Sequence, residues 1–213
     1  MHNSFILVTV GGLLSLIILV RHGESEGNII HILSDYLNKY PLTPTGIAQV
    51  TTTANELKKL KITDFFTSPI LRTRQTADII KSKINIKPKI DFNLTERRFK
   101  KMRGSFVTDN SWKLSAKNKI EPFESLQKRM ASFINENSGK NVVLGVTHHD
   151  PIVATISYAI NSDEYGSFSF RPTYASITIF EIFGNRIKLI LSGVPYLTED
   201  MLMKIPKKYL RIE

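Results

Sequence analysis

Two apolar runs limit what this chain can fold into. Leu16-Ile17-Ile18-Leu19-Val20 and Asn141-Val142-Val143-Leu144-Gly145-Val146-Thr147 are continuous rather than alternating. That is the pattern of strands covered on both faces, as in a parallel sheet. Each run breaks off at a histidine: Arg21-His22-Gly23 follows the first, and His148-His149-Asp150 follows the second.

The rest of the chain alternates in kind. Thr43 as N-cap and Pro44 at the first helical position open a helix over 44–59, with Ile47, Val50, Ala54 and Leu57 as its buried stripe. A strand over 62–67 leaves through Ser68-Pro69 into a helix over 70–83, and 88–92 reads as a short strand. Residues 93–119 are polar, basic and unassigned. A helix over 122–137 turns Phe123, Leu126, Met130 and Phe133 inward. After the strand over 141–147, Pro151 opens an apolar helix to Ile160. The strands 175–183 and 186–192 close a hairpin through Gly184-Asn185. Strands alternating with helices predict an α/β fold, a three-layer α/β/α sandwich on a mostly parallel central sheet. With no repeat or linker, the 213 residues read as one domain, with 1–15 an apolar N-terminal extension.

Composition removes several classes of chemistry. The absence of cysteine excludes disulfides, thiolate metal sites and thiol nucleophiles. Five histidines without an HExxH-like pair give no reason to expect a metal. A net charge of +10 draws anions toward the surface, although a lysine-rich solvated face explains it equally well. No RRM, KH or zinc-finger signature accompanies that charge, so no nucleic-acid partner is expected. The apolar stretch 5–20 falls short of the roughly 20 residues that span a bilayer and lacks a cationic leader. It reads as an extra packed element or as the product of a start codon placed upstream. No membrane association is expected, and the location expected is cytoplasmic.

The carboxyl ends of strands in open α/β sheets are where ligands bind. Two histidines at that edge, one beside Arg21, are joined by Thr67-Ser68-Pro69-Ile70-Leu71-Arg72-Thr73-Arg74-Gln75-Thr76-Ala77, which starts a helix there. A helix N-terminus with arginines suits a tetrahedral dianion. Leu94-Thr95-Glu96-Arg97-Arg98 places a carboxyl group just beyond the third strand.

RHGESEGN, LTPTG, TSPILRTRQTA, the LTE segment and VTHHDPI, in this order, resemble the histidine phosphatase superfamily in its phosphoglycerate-mutase-like branch, over about 17–160. The resemblance implies the phosphoglycerate-mutase-like fold and a phosphohistidine formed on His22. Arg21, Arg72 and His148 would then hold the phosphoryl oxygens, with Asn28 as a further donor. Glu96 would protonate the leaving oxygen and then accept the proton of the attacking water. It implies a small phosphorylated substrate and no cofactor. Alternatives stay open at three points. His149-Asp150 matches the His-Asp pair of the acid-phosphatase branch, in which Asp150 would donate the proton. Arg74 competes with Arg72, which the S-x-L-x-R spacing favours. Glu24 lies nearer His22 in sequence than Glu96, but within RHGES it reads as a structural partner.

The basic cluster Arg97, Arg98, Lys100, Lys101 and Arg103 is either a solvated face or a site for a second anionic group. Trp112 reads as a packing residue, and His2 and His31 as bystanders. The stretch between Glu96 and His148 is too short for the full insert with which cofactor-dependent mutases cage a bisphosphate. The expected activity is therefore metal-independent phosphomonoester hydrolysis. Phosphoglycerate mutase is the alternative, and a non-catalytic anion- or nucleic-acid-binding protein on the same fold is the alternative from another class. Nothing names the substrate. Tyr196, Leu197 and Tyr209 are available for a dimer contact.

Overall fold

The computed structural model describes residues 14–106 and 120–211. Trp112, His2 and the first thirteen residues of the apolar extension lie outside the described residues. The first apolar run is strand β1 (Leu14–Arg21), and its side chains divide by parity. Leu16, Ile18 and Val20 enter one apolar layer, and Ile17 and Leu19 enter the layer behind the sheet. Each such side chain stabilises the fold by about 1.5–3 kcal/mol when fully buried. A strand apolar on both faces is therefore stable only at the centre of a sheet.

That is its place. Strands β2 (Asp64–Thr67), β3 (Lys89–Ile90), β4 (Val142–Thr147), β5 (Ile177–Phe183) and β6 (Arg186–Val194) complete a six-stranded sheet of order β3-β2-β4-β1-β5-β6. The first four in that order run parallel, while β5 and β6 are antiparallel to their neighbours. Helices α1 (Pro44–Leu57) and α2 (Leu71–Ile84) cover one face through Val50, Ala54, Leu57, Ala77 and Ile80. Helices α3 (Phe123–Asn137) and α4 (His149–Ile160) cover the other through Met130, Phe133, Ile152 and Ile156. This is the expected mixed α/β architecture on a mostly parallel sheet.

The structure corrects three local readings. Ile47 is half-exposed and not part of the buried stripe of α1, which runs through Gly46, Val50, Thr53, Ala54 and Leu57. The inward position of the first turn is taken by Gly46 because backbone packs against it. Helix α4 begins at His149 and not at Pro151, since proline is tolerated within a first turn where its missing N–H has no partner to lose. Leu197 and Tyr209 are core residues, and the Tyr209 hydroxyl donates to Leu14 O. Of the three side chains considered for a dimer contact, only Tyr196 is exposed.

Candidate active site

Strands β1 and β4 are neighbours in register, with Arg21 opposite Thr147, and the His22 N–H donates to Thr147 O at 3.0 Å. The two histidines therefore leave the sheet side by side, their rings 5.1 Å apart. A turn this tight beside a helix requires glycine on both sides. A Cβ on Gly23 would stand 2.6 Å from Gly46 O, and one on Gly46 would stand 2.1 Å from Glu24 O. The Thr43 hydroxyl caps α1 by accepting from the Gly46 N–H and donates to Glu24 Oε1 at 2.7 Å. Glu24 thus ties the turn to the helix, as a structural partner.

Arg72, buried at the start of α2, bonds both imidazoles. Its Nε donates to His22 Nε2 at 2.9 Å, and its Nη2 donates to His148 Nδ1 at 3.0 Å and to Ser34 O at 2.9 Å. A guanidinium has no acceptor, so each nitrogen facing it carries a lone pair. The opposite nitrogens then hold the protons. His22 Nδ1–H donates to Gly23 O at 2.7 Å, and His148 Nε2–H donates to Ser68 Oγ at 3.0 Å. Both imidazoles are held well below the usual histidine range, first by burial and then by the charge of Arg72. Burial also brings Arg72 down to about 10, which leaves it charged at neutral pH.

Arg21 stacks on the Tyr174 ring at 4.1 Å, donates from Nη1 to Pro172 O at 2.7 Å, and has a buried Nε without a hydrogen-bond partner among the described residues. With Arg72, Asn28 and Glu96 it lines a cavity of about 580 Å³. His22 and His148 are only 1% and 0% exposed, and Arg72, which lines the cavity, is bonded to both. Asn28 Oδ1 accepts from the Ser25 N–H and hydroxyl at 3.1 and 2.8 Å, so what it can offer a ligand is its NH2 group. Arg74, the competitor of Arg72, donates instead to Asn38 Oδ1. His31 is exposed, and its backbone N–H donates to Asn28 O at 3.2 Å.

Two carboxyl groups line the same cavity and are shifted in opposite directions. Burial, then the charge of Asp150, pushes Glu96 up to about 7, although its Oε1 accepts the Arg97 N–H at 2.9 Å. Burial also works against ionised Asp150. Its bond from His149 Nδ1 at 3.0 Å and the nearby Arg97 outweigh that burial and hold it below the carboxylate range. Environments that drive two acids apart in this way separate a proton carrier from a fixed charge.

The basic cluster is not a solvated face throughout. Arg97 is fully buried, donating to Glu121 O at 2.7 Å and Glu164 Oε1 at 2.9 Å. Arg103 pairs with Asp35 through both carboxylate oxygens. Committed to these partners, neither is free for a second anionic group.

Ser68 as the partner of His148, Tyr174 and Pro172 beneath Arg21, and Ser34 beside Arg72 escaped the sequence reading. The buried Ser34 hydroxyl lines the cavity without a partner among the described residues. Ser68 belongs to the TSPILRTRQTA segment, but the others carry no local signal. Among the described residues no cluster of three or more His, Asp or Glu side chains is placed to hold a metal, and no helix is long and apolar enough to cross a membrane.

The family model of the histidine phosphatase superfamily (branch 1) matches residues 17–194. This chain belongs to that superfamily. A 2,3-bisphosphoglycerate-dependent phosphoglycerate mutase of Thermoplasma acidophilum is 34% identical over 205 residues, covering 92% of this chain and 98% of the relative. Among solved structures, the phosphoglycerate mutase of Bacillus anthracis superposes with a TM-score of 0.74 at 18% identity, covering 91% of this chain and 97% of the other. A mycobacterial glucosyl-3-phosphoglycerate phosphatase superposes with a TM-score of 0.73 at 16% identity, covering 84% and 99%. The fold of this chain is thus shared by one protein named as a mutase and one named as a phosphatase.

Proposed function

We propose that the protein is a phosphomonoester hydrolase acting through a phosphohistidine on His22. The observation that carries this reading is the pair of bonds that orient His22, with Nδ1–H on Gly23 O and the Nε2 lone pair turned toward the arginine clamp. As the substrate enters, the Arg72 Nε–H passes from that lone pair to a phosphoryl oxygen. Nε2 attacks phosphorus, the P–O bond to the leaving group breaks, and protonated Glu96 gives its proton to the departing oxygen. Arg21, Arg72 and the Asn28 amide stabilise the charge on the phosphoryl oxygens. His148, whose two nitrogens are engaged by Ser68 and Arg72, takes at Nδ1 the proton that a phosphomonoester monoanion brings, as Arg72 Nη2 turns to a phosphoryl oxygen, and then donates to the resulting dianion. Water then attacks phosphorus, the P–N bond breaks, and Glu96 recovers the proton from the water. None of these steps calls on a metal or another cofactor. The substrate is a small phosphorylated molecule.

A second reading is phosphoglycerate mutase, in which a substrate hydroxyl replaces water as the acceptor of the phosphoryl group. It is favoured by the relative of matching length that bears that name, and it weakens the argument from a missing insert. One experiment separates the two. Wild-type protein and His22→Ala are incubated with p-nitrophenyl phosphate and with 3-phosphoglycerate, reading released phosphate, 2-phosphoglycerate and phosphohistidine. Hydrolysis and phosphohistidine that vanish together in the variant are the expected result. Isomerisation faster than phosphate release would convert the reading to mutase. Absence of both reactions would leave an anion-binding role.

A further inference from the structure

Glu96 sits on backbone that makes neither helix nor strand, between the short turns Phe92–Leu94 and Lys100–Met102. Buried carbonyl groups on such a stretch need partners from elsewhere. Here they come mainly from one side chain on α3. Arg129 Nη1 donates to Asn93 O at 2.6 Å and to Thr95 O at 3.0 Å, and its Nη2 donates to Glu96 O at 3.4 Å. The two remaining N–H groups, on Nη2 and Nε, go to Glu121 Oε2 and Oε1 at 2.9 and 3.0 Å. All five donors of the guanidinium are used.

Glu121 grips the same segment from its other end. Its Oε2 accepts the Arg98 N–H at 3.0 Å, its N–H donates to Arg98 O at 2.7 Å, and its carbonyl accepts from Arg97 Nε at 2.7 Å. Burial works against the Glu121 charge, but the hydrogen bond and charge of Arg129 outweigh it and hold the carboxyl below its ordinary range. Helix α3 is itself anchored on the sheet through Met130, Phe133 and Ile134.

We propose that Arg129 is a positioning residue that fixes the backbone bearing Glu96, so that the carboxyl meets the departing oxygen. This rests on the reading of Glu96 as the proton donor. Holding a catalytic group in its reactive geometry contributes heavily to rate, and small displacements are costly. The signature of such a role is selective. Protonation is critical for an alkoxide leaving group and nearly dispensable for p-nitrophenolate.

The test compares glycerol phosphate with p-nitrophenyl phosphate in wild type, Glu96→Gln, Arg129→Ala and the double variant Arg129→Gln/Glu121→Gln. The double variant leaves no buried charge unpaired, so it keeps the test open if Arg129→Ala fails to fold. Loss of Arg129 is expected to lower kcat on glycerol phosphate by about 10- to 100-fold, a partial loss beside the roughly 100- to 10,000-fold contribution of a general acid. The loss on p-nitrophenyl phosphate should be much smaller, and the alkaline limb of the pH profile should move. Added guanidinium ion should restore part of the loss in Arg129→Ala. Arg129→Lys should not, because an ammonium lacks the planar fork of donors. Equal losses on both substrates with an unmoved pH limb would overturn the proposal and leave Arg129 a structural residue. Equal losses in Glu96→Gln would instead remove Glu96 as the donor, and the proposal with it.

Discussion

Because an arginine side chain donates and never accepts, the bonds of Arg72 to His22 and His148 hold both rings neutral, with their lone pairs toward the clamp. The complementary residue is Glu96, raised to about 7 by burial and then by Asp150. Two predictions follow from that carboxyl. As the proposed acid it must enter the reaction protonated, so kcat/KM on an alkyl phosphate should fall as pH rises through about 7. Glu96→Gln should lower that activity by about 100- to 10,000-fold, as a pH–rate profile of both proteins would reveal. The same shift affects stability with a definite sign. Unfolded, the carboxyl loses its proton near 4.5. Folded, it keeps the proton to about 7, so its contribution worsens as pH rises between those values. Glu96→Gln should therefore raise the melting temperature at pH 8, by an amount worth up to about 3 kcal/mol, and the gain should vanish below pH 4. A melting temperature that falls at both pH values would contradict the shift.

At the scale of elements, the site depends on how closely a helix approaches a turn. The N-terminus of α1 and the turn after β1 meet through Gly23 and Gly46, with no room for a methyl group between backbones. Gly46→Ala should lower stability by about 1–3 kcal/mol through overpacking. It should also impair activity, since the displaced turn carries His22, and chemical denaturation beside a rate assay would detect both. Much at this scale was legible in the sequence. Thr43 caps α1 as its Thr-Pro start implied, and Phe123, Leu126, Met130 and Phe133 are buried as their spacing required. Ile47 was misread because helical periodicity marks a face without saying which turn meets backbone. The segment carrying Glu96 stayed unassigned because its bonds go to Arg129 and Glu121, beyond any local pattern.

For the whole molecule, the +10 net charge bears on how the proposed anionic substrate reaches the site. Charge of that size steers anions toward the protein at low ionic strength and is screened once the Debye length shrinks to a few ångströms. If the substrate is a phosphomonoester, kcat/KM should fall several-fold between about 20 mM and about 0.5 M salt, with kcat changing little. A kcat/KM indifferent to salt would mean that the basic surface does nothing for encounter. Steeply salt-dependent binding of DNA or RNA that survives His22→Ala would favour the binding role.

Local sequence is enough to mark β1 and β4 as buried strands ending on His22 and His148. Apolar burial and strand periodicity are properties of a few adjacent residues. It also determined the order of Arg21, Arg72, Glu96 and His148 along a strand–helix alternation that brings them to the same end of the sheet. Packing in three dimensions sets which nitrogen of each histidine carries the proton, buries Arg97 on Glu121 and Glu164, and shifts Glu96 and Asp150 apart. Those properties arise from desolvation and from hydrogen bonds between residues tens of positions apart, and a linear pattern carries no record of them.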